Sequence, residues 1–396
     1  MNKLTRIFKN THRHNTKIYD FEKKYGIITG IIKRRKYYNI DKIPFKNIQQ
    51  NFYKNIYKKN CENVVGYIPI PVGIIENICI DGIIYNVPFA TTEGTLIASI
   101  NRGAKVIKDS NKNGIKVIIK DKGITRAPLL EVKDIFEIEI IKDWIENNLD
   151  KLNTIFKQTT NYGNLTNVSF GQSGNKLFIR FSATTGNAMG MNMITKGISK
   201  VMFYITKKFK NTQLLSLSSN YCTDKKVSYL NYINGRCKYV VASALINKEL
   251  IYNKLHTSPE KLIKLNYYKN HIGSNLAGTI GGNNCHTANI IAGIFTATGQ
   301  DLGQIGTSSL ANIDIEDYDN SNIIMYITMP SLEIGTIGGG TNRMYQSECL
   351  KFMDVKNDSK KMAEIIIGTV LAGELSLLSA LTNNNELVNS HMNYNR

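Results

Sequence analysis

The alternation of apolar and polar positions predicts short strands in the first half of the chain. Residues 78–89 alternate in a strand-like manner on both sides of Asp81 and Gly82, which predicts two strands joined by a turn. Residues 114–120 and 177–181 are short apolar runs with the composition of further strands.

Apolar residues at helical spacing predict helices between and after these strands. Thr91 is a hydroxyl residue followed by Glu93 and a periodic apolar run, which predicts a helix N-terminus there. We also expect helices over 135–157, from Gly186 onward, and over 358–382. A strand, a glycine turn and a helix in that order suit phosphate binding at a helix N-terminus.

Length and composition predict a globular chain of two or three domains. Its 396 residues are 42% hydrophobic and 20% charged, which is ordinary for a soluble protein. The most apolar stretch, 365–381, contains Glu374 and several small residues. We therefore interpret this stretch as a core helix and expect no transmembrane segment.

The net charge of +19 is concentrated at the N-terminus. Residues 1–60 hold 16 Lys and Arg against three acids, a net charge of +13, so the rest of the chain is nearly neutral. This distribution argues against a groove that follows a nucleic-acid backbone. The basic segment is either a solvated, partly helical face or an attractant for an anionic membrane surface or a phosphorylated ligand.

Cysteine spacing and the N-terminal sequence indicate an intracellular protein. The six cysteines are widely spaced and form no C-x-x-C pair, so neither a zinc site nor a disulfide framework is indicated. We interpret them as reduced thiols. Arg6, Lys9 and Arg13 interrupt the apolar run that a signal peptide needs.

Few residues stand out for chemistry on their own. Residues 221–226 place an acid beside two lysines, a pattern that solvated loops also show. The glycine-rich run 335–341 offers backbone donors to an anion, whereas the G-x-G-x-x-G fingerprint is absent. Of the six histidines, His286 enters a small-residue helix, where a structural role is common, and His391 has the context of a solvated tail.

Eight segments together resemble the catalytic portion of 3-hydroxy-3-methylglutaryl-coenzyme A (HMG-CoA) reductases of the eukaryotic, class I type. In chain order they are residues 62–73, 90–94, 123–128, 187–193, 220–226, 299–301, 333–341 and 390–392. Eight segments in the family's order are highly specific. The resemblance runs from residue 61 to the end and is weaker over 15–60.

The resemblance implies a mixed α/β (α+β) fold with an inserted cofactor domain. We expect a basic helical N-terminal region over 1–60 and a large α/β HMG-CoA-binding domain over 61–127 and 217–396. A small α+β NADP(H)-binding domain, different from a Rossmann fold, would be inserted over 128–216. The family also implies a homodimer or homotetramer whose active sites are shared between subunits.

The resemblance further implies a two-step, two-hydride reduction of HMG-CoA to mevalonate, with release of coenzyme A, in isoprenoid and sterol biosynthesis. The family's catalytic positions fall on Glu93, Lys225, Asp301 and His391. Lys225 would hold the oxyanion and Glu93 would donate a proton, with Asp301 close enough to perturb both. His391 would protonate the departing thiolate.

The family's binding positions transfer in three sets. The set that binds the HMG portion and the region of the thioester is Arg126, Ser218, Asp224, Lys226, Lys269 and Asn289, and the set for coenzyme A is Tyr19, Ser99, Asn101 and Arg102. The cofactor set is Asn187, Met189, Gly190, Met191, Asn192 and Met193. Asn187 replaces a customary Asp, and Asn161 stands where class I members usually have Arg. We therefore expect NADPH to be preferred by a reduced margin, with NADH not excluded.

Three other classes of function compete with this interpretation. The chain is alternatively a catalytically inactive paralogue that binds coenzyme A or a nucleotide, a nucleic-acid-binding protein, or a thiolase-like enzyme that uses Cys222 as nucleophile. The intact catalytic positions argue against the first, and the charge distribution against the second. We expect no metal, and a cytoplasmic location, with the surface of the endoplasmic reticulum as the alternative by family analogy.

Overall fold

The structure, a computed structural model, describes residues 18–40, 42–45, 51–57, 59–383 and 392. The chain forms two compact units. The smaller consists of residues 1–71 with 343–345, and the larger of residues 72–342 with 346–396.

Three short helices form the described part of the smaller unit: α1 (Phe21–Tyr25), α2 (Ile27–Tyr37) and α3 (Asn51–Ile56). The Arg34 guanidinium is fully buried and forms a two-pronged ion pair with Glu22, and it also donates to the carbonyl of Val64 at 2.8 Å. Arg35 donates to the carbonyls of Ile43 and Val65, both at 2.7 Å. At least two of the clustered cations of the basic segment therefore hold the unit together.

The larger unit alternates strands and helices. Its strands are β1 (Val72–Ile80), β2 (Ile83–Ala90), β3 (Ile115–Arg126), β4 (Leu129–Val132), β5 (Asn164–Ser173), β6 (Lys176–Thr184), β7 (Thr212–Ser216), β8 (Cys237–Asn247), β9 (Gly282–Asn283), β10 (Ala311–Asp317) and β11 (Asn322–Leu332). Its first helices are α4 (Leu96–Ser110), α5 (Ile135–Asn147), α6 (Leu149–Lys157), α7 (Met191–Lys208), α8 (Tyr229–Asn234), α9 (Lys248–Leu255) and α10 (Pro259–Leu265). A π-helix, Asn266–Gly273, is followed by α11 (Ser274–Leu276), α12 (Thr287–Thr298), α13 (Ile305–Ser308), α14 (Met344–Phe352) and α15 (Ser359–Thr382).

The strands form one mixed sheet in the order β7-β4-β6-β3-β8-β11-β10-β9, with β1 and β2 attached through β3 and β5 through β6. Most pairs are antiparallel, whereas β1 with β3 and β9 with β10 are parallel. This arrangement differs from the parallel Rossmann sheet, and the expected mixed α/β fold is confirmed.

Strand β3 runs through both halves of the sheet. Its first part pairs with β8, and residues 124–126 pair with β6. The register shifts next to Gly123, which has φ +71° and lies so close to Ala183 that a Cβ atom would be 2.7 Å from the Ala183 carbonyl oxygen. Only glycine fits this backbone crossing.

Two hydrophobic cores lie on either side of this crossing. One joins β1–β3, β8, β10 and β11 to α4, α12 and α15, and the other joins β4–β7 to α5–α7. Within the described residues, α15 alone is long and apolar enough to cross a membrane, but 83% of its apolar window is buried inside the structure. Helix α15 therefore serves as a core helix, as its sequence indicates. The domain limits expected above stay predictions.

Two helix starts were predicted wrongly. Helix α4 begins at Leu96, not at residue 91, because the Thr91 hydroxyl accepts the backbone N–H of Glu93 at 2.9 Å in a local turn. Helix α7 begins at Met191, after Gly190 at φ +96°, so the segment from Gly186 to Gly190 is an extended turn. In both cases a residue in the left-handed region separates the predicted start from the helix.

Candidate active site

Lys225 and Asp301 form an ion pair at the surface of the larger unit. Lys225 Nζ lies 3.0 Å from Asp301 Oδ2, and the two side chains are 47% and 34% exposed. The other carboxylate oxygen of Asp301 accepts the backbone N–H of Gly303 at 3.0 Å. The pair therefore holds a cation in a fixed position that a substrate can still reach.

Backbone strain is concentrated in the loop that carries Lys225. Asn220, Thr223 and Lys225 all have positive φ, at 65°, 59° and 55°. Such angles are costly for residues with a Cβ and persist where surrounding contacts fix them. The fully buried Asn231 of α8 supplies part of this support, since its amide donates to the carbonyls of Thr223 and Lys226 at 3.2 and 2.8 Å.

Asp224, next to Lys225, points into a buried polar network. Its Oδ1 accepts Arg236 Nη2 at 3.2 Å and Gln304 Nε2 at 2.7 Å. Arg236 forms a second ion pair with Glu333, and both side chains are completely buried. Burial raises the pKa of Glu333 to about 7, although Arg236 acts in the opposite direction.

Arg126, at the end of β3, presents a second cation. Its Nη1 donates to the hydroxyl of Ser218 at 3.0 Å, and its Nε donates to the hydroxyl of Thr195 at 3.0 Å. A guanidinium held from two sides has the geometry to bind a carboxylate. The structure thus brings together Arg126 with Ser218, and Lys225 with Asp301.

Other predicted residues are less closely joined to these pairs. Among the described residues, no hydrogen bond or ion pair connects the side chains of Glu93, Lys226, Lys269 or Asn289 to Lys225 or Asp301. Glu93 and Lys226 are exposed. His391 lies outside the described residues.

Lys269 lies in the π-helix, a local distortion often found at functional sites. Two buried asparagines fix this turn: Asn266 donates to the carbonyl of Ile313 at 2.9 Å, and Asn270 donates to Asn266 at 2.8 Å. The widened turn determines the direction in which the side chain of Lys269 projects from the helix.

Asn289 is exposed on the first turn of α12. The buried carboxylate of Glu374 accepts the backbone N–H groups of Cys285 and His286 at 2.7 and 2.9 Å, and the hydroxyl of Thr287 at 3.0 Å. The single acid in the apolar part of α15 is therefore a cap for the helix that carries Asn289.

Three of the predicted coenzyme A residues lie on α4. The Ser99 hydroxyl is 2.9 Å from that of Ser376, and Arg102 donates to the Ser376 hydroxyl and carbonyl at 3.1 and 2.9 Å. Asn101 accepts the backbone N–H of Glu76 at 2.7 Å. Tyr19 belongs to the short 3₁₀ turn Ile18–Asp20, and its side chain lies outside what the structure describes.

The predicted cofactor segment leads into the N-terminus of α7. The first backbone N–H groups of a helix, here those of Met191, Asn192 and Met193, have no intrahelical partner, and the N-cap residue Gly190 has no side chain to cap them. Asn187 fastens the preceding turn: its amide donates to Asn357 at 2.5 Å, and its Oδ1 accepts the backbone N–H of Ser359 at 3.0 Å.

A close backbone contact also fixes the middle of this turn, which contains Met189 and Gly190. A Cβ atom at Gly335 would lie 2.4 Å from the nitrogen of Met189, so the glycine-rich run packs directly on the segment.

Cys222 lies in a buried position beside Ser218. Cys222 is 1% exposed, and its sulfur contacts the Ser218 hydroxyl at 3.6 Å, with no histidine base beside it in the described part of the chain. The described residues contain no group of three His, Cys, Asp or Glu side chains that could hold a metal ion. Within the described residues, the surroundings of Cys222 thus offer no base that would activate it as a nucleophile.

Comparison with known proteins identifies the family. The sequence signature described as hydroxymethylglutaryl-coenzyme A reductase matches residues 28–396. The chain belongs to this family. The family predicted from eight short segments is therefore confirmed.

Eukaryotic HMG-CoA reductases are similar along most of the chain. The Drosophila melanogaster enzyme is 42% identical over 369 residues, which cover 90% of this chain and 39% of that protein. Enzyme 2 of Dictyostelium discoideum is 41% identical, over 87% of this chain and 67% of that protein. Enzyme 1 of Oryza sativa subsp. indica is 38% identical, over 98% of this chain and 72% of that protein. The chain thus spans less than half of the length of the fly relative.

Solved bacterial HMG-CoA reductases share the fold. A class II enzyme from Streptococcus pneumoniae, bound to NADPH in open conformations, has a TM-score of 0.67 at 19% identity and covers 88% of this chain and 82% of its own. A second structure of the enzyme from that organism has a TM-score of 0.64 at 18% identity and covers 88% and 92%.

Sequence reasoning missed the buried residues that hold the site. Arg236, Glu333, Gln304, Asn231 and Thr125 all lie within the network around the Lys225 loop. Glu333 was noted as part of a family segment, without a role. The available signal was the occurrence of an ionisable residue in an apolar run, as at Glu333 after β11.

Proposed function

We propose that this chain reduces HMG-CoA to mevalonate by two successive hydride transfers from NADPH and releases coenzyme A. The observation that carries the proposal is the ion pair between Lys225, on the strained loop, and Asp301. The two charged groups are 3.0 Å apart, and both side chains are partly exposed to solvent. Membership of the HMG-CoA reductase family supports it. The reaction consumes the thioester, two NADPH and two protons, and it yields mevalonate, two NADP⁺ and the thiol of coenzyme A.

Lys225 supplies the positive charge that the first step needs. When a hydride adds to the thioester carbon, the carbonyl electron pair moves to oxygen, and the ammonium of Lys225 stabilises the resulting oxyanion. Asp301 keeps that ammonium in place through the 3.0 Å ion pair. The carbon–sulfur bond then breaks and gives mevaldehyde and the thiolate of coenzyme A.

Two proton transfers complete the reaction. His391 protonates the thiolate, and Glu93, which must then be protonated, gives a proton to the alkoxide formed by the second hydride. The exposed position of Glu93 leaves its carboxyl accessible to substrate. Arg126 and Ser218 bind the terminal carboxylate of the substrate, since the guanidinium is already fixed by Thr195.

The residues around the N-terminus of α7 fit a dinucleotide. The uncapped amides of residues 191–193 suit a pyrophosphate, and the glycine at 190 lets the backbone turn into the helix at φ +96°. NADPH supplies the hydride when bound. The neighbouring Asn161 and Thr184 are neutral, and Arg180 is only 5% exposed, so the chain offers few cations for the 2′-phosphate.

The test is a direct assay of the purified chain with HMG-CoA and NADPH. We expect loss of nicotinamide absorbance at two NADPH per mevalonate, with free thiol released in proportion. Binding of coenzyme A without oxidation of NADPH would instead support an inactive paralogue. Absence of both binding and turnover would refute the proposal.

We also propose that the chain assembles as a homodimer or homotetramer with shared active sites, in the cytoplasm or at the surface of the endoplasmic reticulum. Membership of the family supports the assembly. Analytical ultracentrifugation with and without HMG-CoA tests the assembly, and cell fractionation tests the location.

A further inference from the structure

Two buried side chains converge on a single oxygen of Asp224. Arg236 Nη2 and Gln304 Nε2 both donate to Oδ1, at 3.2 and 2.7 Å, and both donor side chains are 0% exposed. Neither donor was indicated by the sequence. Since Asp224 directly precedes Lys225, these two bonds act at the base of the loop that holds the reactive cation.

Arg236 is itself fixed through all three of its side-chain nitrogens. Its Nη1 pairs with the buried carboxylate of Glu333, and its Nε donates to the hydroxyl of Thr125 at 2.8 Å. Thr125 in turn donates to the backbone carbonyl of Cys222 at 2.6 Å. Arg236 therefore holds the loop at two points, directly at Asp224 and through Thr125 at Cys222.

Gln304 connects the same loop to Asp301. It ends the short 3₁₀ turn Leu302–Gln304, and the Asp301 side chain caps this turn by accepting the backbone N–H of Gly303. The bond from Gln304 to Asp224 thus joins the turn that follows Asp301 to the residue that precedes Lys225. This buried hydrogen bond therefore fixes the positions of Lys225 and Asp301, the members of the 3.0 Å ion pair, relative to each other.

We propose that Arg236 and Gln304 are positioning residues for the reduction, which act through Asp224 to hold the Lys225 loop in its strained conformation. Neither side chain is accessible to substrate. The positive φ of Thr223 and Lys225 requires such support, because an unsupported loop would relax to ordinary angles and move the ammonium away from Asp301. The kinetic test of this inference rests on the proposed function. Hydrogen exchange of the loop amides tests it without any activity.

The primary variant is Gln304→Met, which keeps the volume and removes only the donor to Asp224. A lost hydrogen bond to a charged group corresponds to about a 10- to 150-fold change in an equilibrium or rate. We therefore expect kcat/KM for HMG-CoA to fall at least 10-fold. The matched control is Thr369→Val, a fully buried polar change of the same shape in α15, and we expect it to leave kcat/KM unchanged.

A double-mutant cycle separates positioning from a general structural effect. If Gln304 acts through Asp224, then Gln304→Met should have less than about a twofold effect in the Asp224→Ala background, because the acceptor is already absent. An equal loss in both backgrounds would overturn the proposal. The cycle is read from the dissociation constant of HMG-CoA, so that low turnover of Asp224→Ala does not prevent it.

Arg236 is tested by removing the buried ion pair as a whole. Arg236→Met alone would leave the fully buried Glu333 carboxylate unpaired and is expected to misfold. Arg236→Met with Glu333→Leu removes both charges of that pair and leaves only Asp224, which is partly exposed and keeps its bond from Gln304. We expect this double variant to unfold cooperatively, near the wild-type melting temperature, with kcat lowered at least 10-fold. Wild-type kcat in a folded double variant would overturn the role of Arg236.

Hydrogen exchange tests the inference independently of activity. The backbone N–H groups of Thr223 and Lys226 donate within the loop, at 2.8 and 3.2 Å. In Gln304→Met both should exchange at least 10-fold faster, while Thr369→Val leaves them unchanged. If the wild type fails to reduce HMG-CoA but exchange responds in this way, the proposed function fails and the positioning role stands. Unchanged exchange together with unchanged kinetics refutes the positioning role alone.

Discussion

A Cβ atom at Gly303 would lie 2.8 Å from Cδ of Lys225 and 3.1 Å from its Nζ. The absence of a side chain at this glycine therefore creates the space in which the Lys225 ammonium lies beside Asp301. The glycine does not adopt the left-handed conformation, so an alanine fits its backbone and only the end of the lysine must move.

Gly303→Ala should consequently lower activity without unfolding the chain. We expect kcat to fall about 10- to 100-fold, since part of the 10²–10³ contribution of one transition-state contact is lost. The control is Gly306→Ala, whose new methyl group would meet only Val227 at an ordinary 3.4 Å. Equal kcat values in the two variants would show that Lys225 tolerates displacement.

Lys225→Ala and Glu93→Gln should each abolish reduction of HMG-CoA while the fold remains intact. Lys225 and Glu93 are both exposed, so their loss removes no core packing. A single electrostatic contact to the transition state contributes about 3–4 kcal/mol, or 10²–10³ in rate. Steady-state kinetics and circular dichroism check the two statements, and wild-type turnover in either variant would remove the proposed mechanism.

His391→Gln should impair reduction of HMG-CoA much more than reduction of mevaldehyde supplied directly. Only the thioester route produces a thiolate that needs a proton. Parallel assays with both substrates make the comparison. Equal losses would give His391 a different role.

The preference for NADPH over NADH should be smaller than in typical class I relatives. Asn161, Thr184 and Asn187 are neutral, whereas the exposed Lys196 and Lys200 keep the surface of α7 positive. Asn161→Arg should increase the preference roughly 10- to 150-fold, the equivalent of one charge-assisted hydrogen bond. Measurement of kcat/KM with both cofactors tests this, and an NADH preference in the wild type would contradict it.

Glu333 should make the free energy of unfolding depend on pH. Burial raises its pKa from 4.5 to about 7, so between these values the folded chain binds a proton that the unfolded chain has lost. The contribution of this carboxyl to the free energy of unfolding is therefore largest below pH 4.5, and it declines as the pH rises to about 7. Between pH 4.5 and 8, the unfolding free energy of the wild type should therefore fall relative to that of Glu333→Gln. Urea titrations across this range provide the measurement, and a constant difference would contradict the assignment.

Local turn chemistry is the part of the fold that sequence predicts best. The hairpin at Asp81 and Gly82 is confirmed, because two adjacent residues at φ +47° and +80° define the turn by themselves. The start of α4 was misplaced because a hydroxyl suits both a helix cap and a local turn. The sequence cannot choose between these without the packing around Thr91.

The sequence predicts some residues of the candidate site but not how they pair. Asp301 and Lys225 are 76 positions apart, and only the family resemblance joined them in advance. Arg236 and Glu333 are 97 positions apart and lie in apolar stretches, so neither composition nor spacing indicates that they pair. Pairing of distant buried charges depends on how the strands meet, which periodicity does not encode.

The burial of α15 has a consequence for synthesis of the chain. Gly103 of α4 packs so closely on the backbone of Ala372 that a Cβ atom would be 1.9 Å from its carbonyl oxygen. The apolar face of α4 thus stays uncovered until the ribosome has added the 269 residues that lead from Gly103 to Ala372. During that interval the nascent chain exposes hydrophobic surface that can aggregate. We expect the yield of folded protein in cells to depend on chaperones that bind such surface.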